Sequence, residues 1–137
     1  MTITKVSFTG TVAAPVITVT GTGFGTKPAE DPSGSPARAT AGCRSQRLAG
    51  NKKDGFDYGP TGLSIGWGIS PPSGYNAGAD VAGHYLDCIG VEIESYTPTK
   101  VVFSLGCQYA LYSPARAQED FLVQVRGATK KGVISYP

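Results

Sequence analysis

The stretch VITVTGTGFG, residues 16–25, leads from an alternating apolar and polar run into a glycine-rich turn. Such a turn binds phosphate when a helix follows the glycines, because the free N–H groups of the first helical turn face the anion. Here Lys27 and Pro28 follow, with further prolines at 32 and 36, so no helix can continue from the turn. The glycines also follow a GxGxG spacing instead of GxGxxG. The stretch therefore predicts a corner between β-strands.

Length and composition favour one all-β domain over residues 1–137. Nineteen glycines, ten prolines and a charged fraction of only 16% indicate many turns and few exposed helices. The N-terminus lacks a basic segment followed by an apolar run, and no stretch approaches the roughly 18 apolar residues of a membrane span. We therefore expect a protein that is not exported through a leader and does not enter a membrane.

Seven short runs alternate between apolar and polar residues, as half-buried strands do. The clearest is GLSIGWGIS, residues 62–70, which puts Leu63, Ile65 and Trp67 on one side. The alternation predicts that Trp67 lies in the core, as a tryptophan commonly does in immunoglobulin-like sandwiches. The other six runs cover residues 4–8, 15–21, 88–96, 100–106, 120–127 and 132–136.

The connections between these runs complete the fold prediction. Residues 95–100 suit a tight link, residues 126–132 a hairpin turn, and SPARAQED, 113–120, a helix of one or two turns. Residues 26–60 and 70–84 form long irregular excursions, the usual location of binding residues on a rigid scaffold. We expect an immunoglobulin-like antiparallel β-sandwich of seven to nine strands with long inserted loops.

Charge is unevenly distributed, although the net value is only +2. A segment with no acidic residue contains five basic ones: Arg38, Arg44, Arg47, Lys52 and Lys53. Residues 54–99 contain six acidic residues and no Lys or Arg. This pattern fits solvated loop surface, and it also fits a surface that docks on a neighbouring copy or an oppositely charged partner. The basic segment is short and belongs to no nucleic-acid-binding fold, so we expect no nucleic-acid partner.

Few residues suit catalysis or metal binding. His84 is the only histidine, so any triad would need it together with Asp87 or Cys88, and no serine lies in a G-x-S-x-G elbow. The three cysteines lack CxxC spacing, which favours small apolar roles and leaves one disulfide open. A calcium site is also left open, because these acidic and amide residues follow no calcium-loop pattern: Asn51, Asp54, Asp57, Asp80 and Asp87. We expect a non-enzymatic protein without a cofactor.

Tyrosines in the long excursions provide candidate partner-binding rings. Tyr58, Tyr75 and Tyr85 lie on predicted loops, where aromatic rings can stack on a sugar or pack against a protein. Tyr109 and Tyr112 are spaced three residues apart and could form a pair on one short surface.

Three stretches resemble the IPT/TIG family of immunoglobulin-like sandwiches. PVITVTGTGFG contains the TGTGFG-like turn at residues 20–25, IESYTPTKVVFSL contains the T-x-[TQ]-x-[IV]-x-[VF] strand at 97–105, and FLVQVRGATKKG contains the V-x-V-x-[NG]-G hairpin at 123–127. The resemblance covers the first 25 residues and roughly the last 50, whereas the middle does not match. It implies an accessory module of the kind found in secreted enzymes, adhesins, receptors and virion proteins.

Together these features favour a bacteriophage virion surface protein, assembled in the host cytoplasm, that decorates a capsid. A viral capsid protein or neighbouring copies of the chain would be the partner, with the five basic residues and the loop tyrosines at the contact. The alternative is an extracellular carbohydrate-binding or adhesion module of a secreted bacterial protein, with Tyr58, Tyr75 and Tyr85 stacking on a glycan.

Overall fold

The computed structural model describes residues 1–29, 58, 62–68, 71, 74–78, 89–106, 109 and 114–137. Within these residues lie eight strands and no α-helix. The strands are β1 Thr2–Thr11, β2 Ala14–Thr22, β3 Leu63–Gly68, β4 Tyr75–Ala77, β5 Val91–Tyr96, β6 Lys100–Leu105, β7 Asp120–Val125 and β8 Ala128–Val133.

The described strands form two four-stranded antiparallel sheets. The first has the order β1-β2-β6-β5 and the second has the order β4-β3-β7-β8. If the strands are lettered along the chain, with β4 as C′, the sheets read A-B-E-D and C′-C-F-G. This is the strand order of an immunoglobulin-type sandwich. The predicted fold class is therefore confirmed.

The core lies between the two sheets. Ile17, Val19 and Phe103 from the first sheet, and Leu63 and Trp67 from the second, are fully buried. Their positions follow the two-residue alternation of the sequence, so the expected location of Trp67 is confirmed. Each fully buried large side chain of this kind contributes roughly 1.5–3 kcal/mol relative to an exposed one.

The segment after β6 differs from the helix expected over residues 113–120. Its described part, residues 114–119, contains a turn at Ala117 and Gln118, and Gln118 has a positive φ of 76°. The Gln118 N–H donates to the Ile134 carbonyl at 2.9 Å, and the Ile134 N–H donates to Glu119 at 2.8 Å. Backbone hydrogen bonds to Ile134, which follows β8, thus replace the i to i−4 hydrogen bonds that a helix would make.

The predicted hairpin turn over residues 126–132 is also shorter in the structure. Arg126 and Gly127 alone form the turn, with φ values of 51° and 93°. Two central residues with positive φ make a two-residue loop that matches the twist of the strands. The following residues therefore belong to β8. Strand β4 likewise lies inside the expected excursion 70–84.

Candidate functional site

The glycine-rich corner is held by backbone hydrogen bonds to the β5–β6 turn. The Gly21 N–H donates to the Thr99 carbonyl at 2.9 Å, and the Phe24 N–H donates to the Pro98 carbonyl at 3.0 Å. The Phe24 side chain is fully buried, and its carbonyl accepts a 2.8 Å hydrogen bond from the Tyr96 hydroxyl. These two N–H groups therefore serve the fold instead of an anion, and the predicted corner is confirmed.

Three connections meet at this end of the sandwich. The corner after β2 lies beside the β5–β6 turn through the bonds above. The β7–β8 turn joins them, since the Arg126 N–H donates to the Gly62 carbonyl at 2.9 Å, just before β3. A Cβ placed on Gly25 would lie 3.9 Å from an Arg126 guanidinium nitrogen. The chain therefore leaves the first sheet and enters the second at the same end.

Four described cations lie at this end: Lys5, Lys27, Lys100 and Arg126. Thr20 pairs with Lys5 on one side and with Lys100 on the other, so both lysines project from the outer face of the first sheet. Of the four described carboxylates, Glu92, Glu119 and Asp120 lie toward the opposite end of the strands. We call the four cations the basic end.

The basic residues predicted as a docking segment lie outside the described residues: Arg38, Arg44, Arg47, Lys52 and Lys53. Their place along the chain is nevertheless defined by the strands on either side. They lie in the connection between β2 and β3, which starts and finishes at the basic end.

Two of the three tyrosines expected to stack on a partner instead pack against the core of the sandwich. Tyr58 is a core residue with 9% of its surface exposed, so the expectation of an exposed stacking ring there is wrong. Tyr75 belongs to β4, is half-buried and stacks on Trp67 with a ring separation of 6.2 Å. Tyr85 lies outside the described residues.

The opposite end of the sandwich contains a hydroxyl network that the sequence did not reveal. The Tyr109 hydroxyl donates to the Val12 carbonyl at 2.6 Å and accepts from the Ala115 N–H at 2.7 Å. The Tyr136 hydroxyl donates to the Ala115 carbonyl at 2.7 Å. Tyr109 is 5% exposed, which corrects the expected surface pair with Tyr112, itself outside the described residues.

Burial shifts the ionisation of these tyrosines. It raises the pKa of Tyr136 to about 12, with smaller upward contributions from Tyr109 and Glu119. Burial also raises the pKa of Tyr109, although the backbone hydrogen bond with Ala115 opposes the shift. The shifted groups are structural, because each hydroxyl is engaged by the backbone.

A shallow groove of about 460 Å³ lies on the second sheet. It is lined by Pro71, Asp120, Phe121, Lys131, Gly132 and Val133. Val133 is 56% exposed, one of two large apolar side chains that the described residues leave open to solvent. The exposure of Val133 could not be predicted from the closing run GVISY. Alternation of apolar and polar residues does not show whether another part of the protein covers the outer face of a strand.

The residues considered for catalysis or metal binding lie outside the described part of the chain. They are His84, the three cysteines, Asn51, Asp54, Asp57, Asp80 and Asp87. Within the described residues, no three His, Cys, Asp or Glu side chains form a group that could hold a metal ion. No described helix is long and apolar enough to cross a membrane.

Comparison with protein families, with curated proteins and with solved structures found no match to this chain. The strand order describes the fold of the chain as a β-sandwich of the immunoglobulin type.

Proposed function

We propose that this protein is a non-enzymatic binding protein that docks its basic end on an acidic protein surface. One observation carries the proposal: a connection containing five basic residues and no acidic one between 38 and 53 begins and ends where Lys27, Lys100 and Arg126 lie. Cations gathered on one surface favour a partner of opposite charge and speed the encounter with it.

The setting that we propose is a bacteriophage virion, with the protein on the surface of the capsid. The β-sandwich would act as a rigid scaffold, and the loops that connect its strands would contact the capsid. The described tyrosine hydroxyls support a non-catalytic role, since those of Tyr96, Tyr109 and Tyr136 are all committed to backbone hydrogen bonds.

Charge removal at the basic end tests this proposal. We expect the wild-type protein to co-sediment with capsids of the bacteriophage that is proposed to carry it. The variant Lys27→Gln/Lys100→Gln/Arg126→Gln should lose roughly ten-fold in affinity, equivalent to about 1.4 kcal/mol. Neutralising Arg44, Arg47, Lys52 and Lys53 should weaken binding further, and added salt should weaken the wild type because it screens exposed charges.

The matched control is Arg116→Gln, which removes an exposed cation that lies away from the basic end. It should bind as the wild type does. Thermal unfolding must show that every variant is folded. Undiminished association of both neutralised variants would contradict docking through the basic end.

A further inference from the structure

The groove on the second sheet lies beside β3, which has glycine at two of its outward positions. On the outer face, Asp120 pairs with Gly68, and the next outward residue of β7, Leu122, pairs with Gly66. Pro71 covers Gly66, lying 3.5 Å from the position of a Cβ there. The groove therefore lies between Pro71 on one side and strand β8 on the other.

An exposed apolar side chain lies at the rim of this groove. Val133 pairs with Asp120 at the edge of the sheet, and 56% of its surface is open to solvent. Its side chain projects from the same face as the groove, because the inward positions of β8 are Ala128, Lys130 and Gly132. A protruding side chain and a depression that could receive it are thus neighbours on one surface.

Opposite charges flank this pair of features. Asp120 lies on β7 and Lys131 lies on β8, both exposed on the outer face and both lining the groove. Neither makes an ion pair or a side-chain hydrogen bond with the described residues. The patch therefore contains two complementary pairs. The acidic Asp120 complements the basic Lys131, and the protruding Val133 complements the apolar groove.

We propose that this patch joins two copies of the chain in a closed twofold dimer. A twofold axis brings the same patch of each copy together, so each residue contacts its complement twice. Val133 of each copy enters the groove of the other, and Asp120 of each copy faces Lys131 of the other. The patch lies at the end of the strands opposite the basic end, so the dimer is independent of the proposed function.

Packing of the two faces is favoured over pairing of the two β8 edges. The Ile134 N–H points at β7, so by alternation the N–H groups of Thr129, Lys131 and Val133 point away from it. An antiparallel ladder centred on this strand would place Lys131 against the same residue of the second copy. Like charges directly opposite each other destabilise a sheet.

Sedimentation velocity across a concentration series, from low micromolar to several hundred micromolar, tests the dimer. We expect a reversible monomer–dimer equilibrium in the micromolar range, typical of a small interface. Asp120→Lys alone and Lys131→Asp alone should each weaken association at least roughly ten-fold, because each places like charges opposite each other. Val133→Ser should also weaken it.

An equimolar mixture of Asp120→Lys and Lys131→Asp gives the most specific test. Each variant repels itself, whereas each supplies the charges that the other lacks, so the mixture should form heterodimers. Ser95→Asp, at an exposed position of β5 on the other sheet, should dimerise as the wild type does. A monomeric wild type, an open series of larger species, or a mixture that stays monomeric while thermal unfolding shows both variants folded would overturn the proposal.

Discussion

At the scale of single residues, the Tyr109 hydroxyl joins two connections that are far apart along the chain. It bridges the β1–β2 turn at Val12 and the segment before β7 at Ala115. Its ring packs edge-on to Trp67 with a centroid separation of 5.6 Å. Tyr109 therefore fixes the connection between β6 and β7 to the β1–β2 turn and to the core.

Removing this hydroxyl should destabilise the fold more than removing a neighbouring one. Tyr109→Phe leaves the buried Ala115 N–H without a partner, at a cost of about 1–3 kcal/mol. Tyr109→Phe also removes the bond to the Val12 carbonyl, whereas Tyr136→Phe removes only the bond to the Ala115 carbonyl and should cost about 1 kcal/mol. Urea denaturation of the two variants measures both values. A smaller loss for Tyr109→Phe than for Tyr136→Phe would contradict this role.

Residue positions could be predicted from the sequence where alternation alone determines them. Trp67 is such a case, because its neighbours at two-residue spacing are also apolar. Tyr58 and Tyr109 are not, since each is buried from a connecting segment by contacts with residues distant in sequence. The local spacing of apolar residues contains no information about such a long-range contact.

At the scale of elements, the four edge strands of the two described sheets use different means to avoid pairing with other chains. Register shifts interrupt β1 between Ile3 and Lys5, and β5 between Ile93 and Ser95. Strand β4 is only three residues long. Strand β8 places Lys130 on its inward side, opposite the buried Val123. Bulges, short length and inward charges all discourage edge-to-edge association.

Loss of the inward charge should expose β8 to such association. Lys130→Val converts the edge into a more apolar, β-branched strand, and we expect it to aggregate at concentrations where the wild type is soluble. Lys130→Arg retains the charge and serves as the control. Light scattering during storage and heating measures the effect. Equal solubility of Lys130→Val and Lys130→Arg would contradict it.

Most strands could be predicted, whereas their exact extent could not. The run KVVFSLG predicted β6 with Val101, Phe103 and Leu105 inward, as observed. The sequence predicts a hairpin turn over residues 126–132, which includes residues 128–132 of β8. Their pairing with β7 makes them a strand, so tertiary context overrides weak local preference.

At the scale of the whole molecule, the buried tyrosines link stability to alkaline pH. The pKa of Tyr136 is about 12 in the folded protein, compared with an ordinary value of 10.0. Its protonated form is thus favoured by folding, so this contribution is complete below pH 10 and is lost as the pH rises toward 12. We expect the free energy of unfolding to fall across this interval.

Chemical denaturation at a series of pH values measures this loss, and Tyr136→Phe is the control because it removes the ionisable group. The variant should show a shallower decline than the wild type above pH 10. Parallel declines in the two proteins would show that Tyr136 contributes nothing to the alkaline sensitivity.

The site at the basic end could be predicted only in part. The basic residues between 38 and 53 can be counted directly from the sequence, because a charge count along the chain does not depend on the fold. The gathering of Lys5, Lys27, Lys100 and Arg126 could not be foreseen, since strand order and register bring them together.

The direction of the first and last strands has a mechanical consequence. Thr2 starts β1 at the basic end, whereas Val133 ends β8 at the opposite end. A force applied between Met1 and Pro137 therefore runs along the strands and pulls β1 lengthwise against β2. Nine register pairs join these strands, with hydrogen bonds perpendicular to the pull, so they share the load in shear instead of opening one after another. A domain loaded this way resists stretching more than one whose strands are pulled apart in sequence.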